Sequence, residues 1–400
     1  SDPKLGNCLS LEEVGALGPK IFNVLKSLES QPAVMLTAGL ALVGAVNLIR
    51  WQKDKAAAER LAAAEAEPIP GFEQTPKVSF LVPAWNEAEY IQASLASILA
   101  LRYPNKELVV CAGGNDGSYT IAKQFSGPGV IILEQVPGEG KQGALRRCFE
   151  HSTGEIIFQT DADCLVDDIT VERTLAPILT EGENVTTGYW QPFDEDKDKP
   201  LVAFQWASHL RYQGGMGKYV ENLDGRNSAI NRETLAQAGA YQNEAAIGTD
   251  YVLSRNLSAC GYSIRSVLNS RVQTEYPVDI KTYLKQGSRW FRNRLVQGIH
   301  YKHWLDVLVS IWAGLSALFI LTGLLSFLLH GIALKLLWVL SLFHLGLSQV
   351  RSKAFFQRTS SKKNEYNPCF WKFILISLFV NLSIVKGCIE SFIPKSKKIW

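Results

Sequence analysis

The seven cysteines of this 400-residue chain are odd in number and include no C-x-x-C pair. That argues against a disulfide framework and a zinc site, and for a reducing compartment. Neither sign of charge is in excess: 41 Lys and Arg face 38 Asp and Glu, leaving a net +3. So balanced a chain has no default affinity for nucleic acid. With 31 Gly, 16 Pro and 20% charged residues, it is neither collagenous nor disordered. What it does have is a polar middle between strongly apolar ends, and such ends make a soluble protein a poor reading.

Residues 30–49 carry no charge and are long enough to cross a bilayer as one helix. The run starts about 30 residues in and no small-residue cleavage site follows it, so it reads as a span (30–50) rather than a signal peptide. Arg50, Lys53, Lys55 and Arg60 follow at once and assign that side to the cytoplasm. Residues 1–29 contain an amphipathic stretch, Leu11 to Leu28, broken at Gly18-Pro19. Near the other end, Val307 to Leu329 is uncharged, and His330-Gly331 allows reversal into Ile332 to Val350, a membrane hairpin over 305–350. The segment 351–369 carries Arg351, Lys353, Arg358, Lys362 and Lys363 before its first acid and reads as a basic cytoplasmic loop. Residues 370–389 either span or form a re-entrant helix, and 390–400 are a tail.

Between these ends, 51–76 reads as a linker helix ended by Pro68 and Pro70. From Lys77 the period changes to short apolar strands, near 78–82, 107–112, 130–133 and 155–160, alternating with helical patterns. Alternation of that kind predicts an α/β fold with a doubly wound, mostly parallel sheet over 77–282. Such a sheet binds ligands at the carboxyl ends of its strands. The polar residues fall there: Glu87 after the first strand, Asp116 after the second, Asp161-Ala162-Asp163 after the fourth. Two carboxylates one residue apart suit Mg2+ or Mn2+ bound to a diphosphate, and their repulsion calls for a cation or strong donors. Gly138 to Gly143 opens a helix with a glycine-rich turn and Lys141; it lacks P-loop spacing, but a helix start plus a lysine suits a phosphate. Asp250 precedes a helical stretch and could simply cap it. Residues 283–304 are basic and aromatic and read as an interfacial helix, in which Trp290 suits either a stacked sugar or a membrane anchor.

Taken in order, Pro83-Ala84-Trp85-Asn86-Glu87, Asn115-Asp116-Gly117-Ser118, Gly140-Lys141, Asp161-Ala162-Asp163, Gly248-Thr249-Asp250 and Gln286-Gly287-Ser288-Arg289-Trp290 resemble the family-2 inverting glycosyltransferases of GT-A fold. Within that family the chain is similar to the membrane-embedded branch of cellulose, chitin and hyaluronan synthases and of glycolipid glucosyltransferases. The resemblance covers roughly residues 78–301. It implies that Asp116 binds the base or ribose, that Lys141 lies near the diphosphate, and that Asp161 and Asp163 hold UDP and its metal. Asp250 would be the general base. Gln286 and Trp290 would line the acceptor end, with Arg289 on the diphosphate. Two departures stand out: Asn115 replaces the first Asp of the usual Asp-Asp-Gly, and Gly248-Thr249-Asp250 replaces Thr-Glu-Asp.

The resemblance implies transfer of a hexose from a UDP-sugar, with Mg2+ or Mn2+, to a growing polysaccharide at the cytoplasmic membrane face. Single addition to a lipid such as diacylglycerol or ceramide is the alternative. A silent nucleotide-binding membrane module is a third reading, disfavoured because such a module needs no base. With three or four spans, one chain is short of a polysaccharide channel unless it forms a homo-oligomer.

Overall fold

The computed structural model describes residues 31–69, 71, 75–242, 248–329, 331–359 and 370–392. The amphipathic segment at 1–29, residues 360–369 of the basic loop and the tail from 393 lie outside them.

Helix α1 (Pro32–Glu65) takes in both the apolar run and the linker as one 34-residue helix. Nothing in the Ala-rich stretch after Arg50 interrupts it, and Ala is the best helix former. The next elements alternate: β1 (Val78–Trp85), α2 (Ile91–Leu99), β2 (Lys106–Gly113), α3 (Ser118–Lys123), β3 (Val130–Glu134), α4 (Gly140–His151) and β4 (Ile156–Gln159). These strands pair in parallel in the order β3-β2-β1-β4. Alternate residues of β1 go to opposite faces: Phe80 and Val82 pack with α2 in one core cluster, and Leu81 with α4 in another. Burial on both faces makes the strands read as continuous apolar runs. Phe80 and Phe158 meet with ring centroids 5.0 Å apart, and each fully buried side chain of this size contributes about 1.5–3 kcal/mol.

A buried carboxylate clamps the start of this half-sheet. Glu107 is 6% exposed and accepts from Ser79 Oγ at 2.6 Å and from Thr153 Oγ1 at 2.9 Å. Lys77 Nζ lies 2.5 Å from its other side. Burial alone would raise its pKa, but donation from Lys77, Ser79 and Thr153 pulls it down from 4.5 to about 2.

Beyond β4 the sheet is not mostly parallel. It continues through β5 (Cys164–Leu165), α5 (Asp168–Glu181), β6 (Val185–Pro192), α6 (Pro200–Gly215), β7 (Tyr219–Val220), β8 (Ser228–Asn231), α7 (Arg232–Gln237), α8 (Thr249–Ala259) and β9 (Ile264–Thr274). The full order is β3-β2-β1-β4-β8-β6-β9-β5, with β7 also on β9. β8 runs antiparallel to both β4 and β6, whereas β6 and β9 are parallel. The sheet is therefore mixed and nine-stranded. β5, β7 and β8 are two to four residues long, too short to show a period, and β8 enters from a loop rather than from a single crossover helix.

Asp279 caps α9 (Ile280–His300) by accepting from Thr282 N–H at 3.0 Å. Then come α10 (Trp304–Thr322), α11 (Ile332–Thr359) and α12 (Phe370–Phe392). Among the described residues, four stretches are long and apolar enough to cross a membrane: Pro32–Glu65, Trp304–Leu328, Ile332–Thr359 and Trp371–Phe392. α11 runs nine residues into the stretch expected to be a basic loop. Its Phe355 and Phe356 are buried with Trp206 of α6 and Leu61 of α1, and this packing keeps the turn helical despite Arg351 and Lys353. The same cluster includes Phe373 of α12 and joins the apolar helices to the sheet domain.

Candidate active site

The carboxyl ends of β1, β2 and β4 lie side by side along one edge of the parallel half. The exits of β1 and β2 are tied together: Asn115 N–H donates to Asn86 Oδ1 at 2.8 Å, and Ala88 N–H to Asp116 Oδ2 at 2.9 Å. Asn86 adopts φ 58°, and a Cβ on Gly114 would lie 2.2 Å from its Oδ1. Close approach therefore requires glycine there. Asp116 also accepts from Ser118 N–H and Oγ at 3.0 and 2.7 Å. Although burial opposes it, donation from Ala88 and Ser118 lowers its pKa. Most of its acceptor capacity thus goes into shaping the loop.

Lys141, in the first turn of α4, reaches Asp161 at 2.6 Å to Oδ1 and 2.9 Å to Oδ2. Burial disfavours the ammonium, but Asp161 and Asp250 outweigh it and raise its pKa. Lys141 stays charged. Among the described residues, Asp163 has long contacts alone, Cys164 Sγ at 3.4 Å and Thr274 Oγ1 at 3.3 Å. Burial and then the Asp161 charge raise its pKa, and burial with Asp163 and Asp161 pushes Glu87 up to about 8. A cation between these carboxylates would relieve both effects. No group of three or more His, Cys, Asp or Glu that could hold a metal occurs among the described residues. Asp161 and Asp163 would supply two carboxylates, a donor set that fits Mg2+ or Mn2+ with further oxygen ligands from a diphosphate and water.

Asp250 is not the cap of α8. Gly248 holds that position, in the left-handed region at φ 75°, and Asp250 lies inside the first turn. Its Oδ1 accepts from Gln159 Nε2 at 3.4 Å, and the same nitrogen donates to Gly225 O at 3.1 Å. Tyr241 OH donates to Gln159 Oε1 at 2.8 Å and fixes which way that amide points. Burial raises the Asp250 pKa against the opposing Lys141 charge, with Asp161 adding to the rise. A Cβ on Gly225 would sit 2.1 Å from Asp250 Oδ1, so this backbone abuts the carboxylate. Asp250, Lys141, Asp161 and Asp163 thus form one electrostatic cluster.

Gln286, Arg289 and Trp290 lie on α9. Gln286 and Arg289 make no hydrogen bond or ion pair with the protein among the described residues; Gln286 is half-buried and Arg289 exposed. Trp290 is 40% exposed, with its ring 6.1 Å from that of His209 on α6. Sequence reasoning missed a second group behind it. His209 packs edge-on to Trp190 of β6 at 4.8 Å, and the Arg226 guanidinium lies 3.9 Å over Trp190. Asp224 takes two bonds from Arg226, Nε to Oδ1 at 2.9 Å and Nη2 to Oδ2 at 2.8 Å. The charge-turn-charge run Asp224-Gly225-Arg226 was the available signal.

This sheet, with paired carboxylates at the exits of its parallel half, has the GT-A architecture. A solved mannosyltransferase, PcManGT from Pyrobaculum calidifontis in complex with GDP-Man and Mn2+, shares the fold at TM-score 0.52 and 18% identity, over 90% of this chain and 98% of that one. Residues 79–237 match Glycosyl transferase family 2, and residues 195–381 match Glycosyl transferase family group 2. Both matched models are of family-2 glycosyltransferases, and together they run from residue 79 to residue 381. The chain is 27% identical over 239 residues to the probable glycosyltransferase YdaM of Bacillus subtilis, covering 55% of this chain and 56% of that protein. It is 24% identical over 257 residues to a hyaluronan synthase of Streptococcus pyogenes serotype M1, covering 58% and 60%. The matched region thus spans less than two thirds of these relatives' own length.

Proposed function

We propose that the chain is a membrane-bound inverting hexosyltransferase that moves a sugar from a UDP-hexose to a growing polysaccharide at the cytoplasmic membrane face. The observation that carries this reading is the convergence of Lys141, Asp161, Asp163 and Asp250 at one end of the sheet. Asp161 and Asp163 would hold the divalent cation, which neutralises charge building on the departing diphosphate. Lys141 adds a fixed positive charge on the Asp161 side. Asp250 takes the proton of an acceptor hydroxyl as that oxygen bonds to the anomeric carbon. The bond from that carbon to the diphosphate oxygen breaks, and its electron pair leaves with the nucleotide. A raised pKa suits Asp250 to this task, because a base with higher proton affinity accepts the proton more readily.

Glu87 and Asp116 are assigned to the nucleotide-sugar side, Asp116 through the loop it shapes. Trp290 is assigned to the acceptor end with Gln286, and Arg289 to the membrane-proximal approach of the diphosphate. Basic residues after the first span support a cytoplasmic domain. Similarity to a hyaluronan synthase supports a polymer over a single glycolipid.

The test is product size. Purified protein in lipid nanodiscs is supplied with Mn2+ or Mg2+ and, one at a time, radiolabelled UDP- and GDP-hexoses. Release of UDP with a size ladder is expected. A single discrete glycolipid band refutes the polymerase, and no nucleotide release from any donor refutes the transferase.

A further inference from the structure

Arg226 shares none of the motifs that mark the site, yet it is one residue from the backbone that abuts Asp250. Asp224 binds two of its guanidinium nitrogens, and Trp190 supports its face. Nη1 is left with no hydrogen bond to the protein among the described residues. Next to it stands an aromatic wall: Trp190, then His209, then Trp290. His209 is itself fixed by a 2.8 Å bond between Nδ1 and Tyr276 OH.

Asp224 compensates the Arg226 charge, so this group is poorly suited to gripping a diphosphate. It is well suited to donating from a rigid plane to a neutral hydroxyl. Flat apolar rings beside a fixed donor suit a pyranose, whose C–H faces stack while its hydroxyls bond in the plane. An alkyl-chain alcohol would leave the donor unanswered.

We propose that Arg226, held by Asp224 and seated on Trp190, is an acceptor-orienting residue: its Nη1 donates to a hydroxyl of a sugar acceptor packed on the exposed Trp290 ring with His209 behind it, and so selects which neighbouring hydroxyl faces Asp250. This rests on the transferase reading above. It assigns specificity to a residue pair outside the family motifs.

The test compares wild type, Arg226→Gln and the doubly neutral Asp224→Asn/Arg226→Gln chain, which removes both partners of this ion pair together. Each is given the donor that wild type consumes fastest, with n-octyl β-D-glucoside or 1,2-dioctanoylglycerol as acceptor. With the glucoside, both variants should raise the acceptor KM about tenfold or more, and the product should become a mixture of linkages. The nucleotide Kd should stay within about threefold of wild type, which also reports a folded domain. An unchanged acceptor KM with a single linkage overturns the proposal. So does a nucleotide Kd that rises as much as the acceptor KM, or wild-type preference for dioctanoylglycerol over the glucoside. If wild type releases no nucleotide from any donor, the transferase reading falls first and takes this one with it.

Discussion

Replacing Glu107 by Gln keeps the shape of the clamp beneath the parallel half-sheet and removes its charge. The depression of the Glu107 pKa from 4.5 to about 2 translates, at about 1.4 kcal/mol per tenfold change in proton affinity, into about 3 kcal/mol. Lys77 is 36% exposed along its side chain, so water screens part of that interaction and about 2 kcal/mol is the better figure. For a domain of this size that lowers Tm by roughly 4–8 °C. The sign with pH follows from the folded pKa being the lower one. The carboxylate's contribution is complete above about 4.5 and is lost as pH falls toward about 2. Thermal melts of wild type and Glu107→Gln in the same detergent, at pH 7 and pH 3, measure it. The gap between them should be wide at pH 7 and narrow at pH 3. Equal melting temperatures at pH 7, or a gap that is not at least roughly halved at pH 3, would refute the electrostatic account of this clamp.

Three further outcomes concern the site. Asp250→Asn should lower kcat by about 10²–10⁴ with little change in nucleotide affinity, and the acid limb of the wild-type kcat/KM profile should lie above the ordinary aspartate pKa of 3.8; steady-state kinetics from pH 4 to 8 decides both. Asp163→Asn should raise the melting temperature of the metal-free protein, because it removes a buried carboxylate held against Asp161, while Mn2+-dependent nucleotide binding falls. Calorimetry and equilibrium binding on the same samples would expose a failure of either half. Gly225→Ala places a methyl against Asp250 Oδ1 and Gln159 Nε2, so kcat should drop about 10²-fold through misplacement of the base, with the melting temperature monitored alongside.

The parallel half-sheet was legible because β1, β2 and β4 are buried on both faces and stand out as apolar runs between amphipathic helices. The mixed half was not. Ser228 to Asn231 contains one large apolar residue, Ile230, and its place between β4 and β6 depends on tertiary pairing alone. Asp161 and Asp163 could be singled out because they follow a strand, and Lys141 because it opens a helix; the fold pairs Lys141 with Asp161. Gln159 escaped notice because it sits within the strand and acts from its final position, turned by Tyr241 from the far side of a loop. Trp190, His209 and Arg226 come from three elements with no common spacing, so only folding reveals them as neighbours. Arg289 shows the reverse: its motif is plain in the chain, while its exposed side chain makes no hydrogen bond or ion pair among the described residues.

Helix α1 carries a mechanical implication. A continuous rod of roughly 50 Å is apolar along its first half, and Ala57 and Leu61 of its second half are wedged against α6, where a Cβ on Gly214 would meet Ala57 O at 2.9 Å. No joint separates the two halves, so a bilayer crossed by the apolar half would hold the sheet domain at a height and tilt that follow the angle of this rod and of the apolar helices packed beside it. Under the proposed function, membrane thickness would then become a variable in where an acceptor must stand.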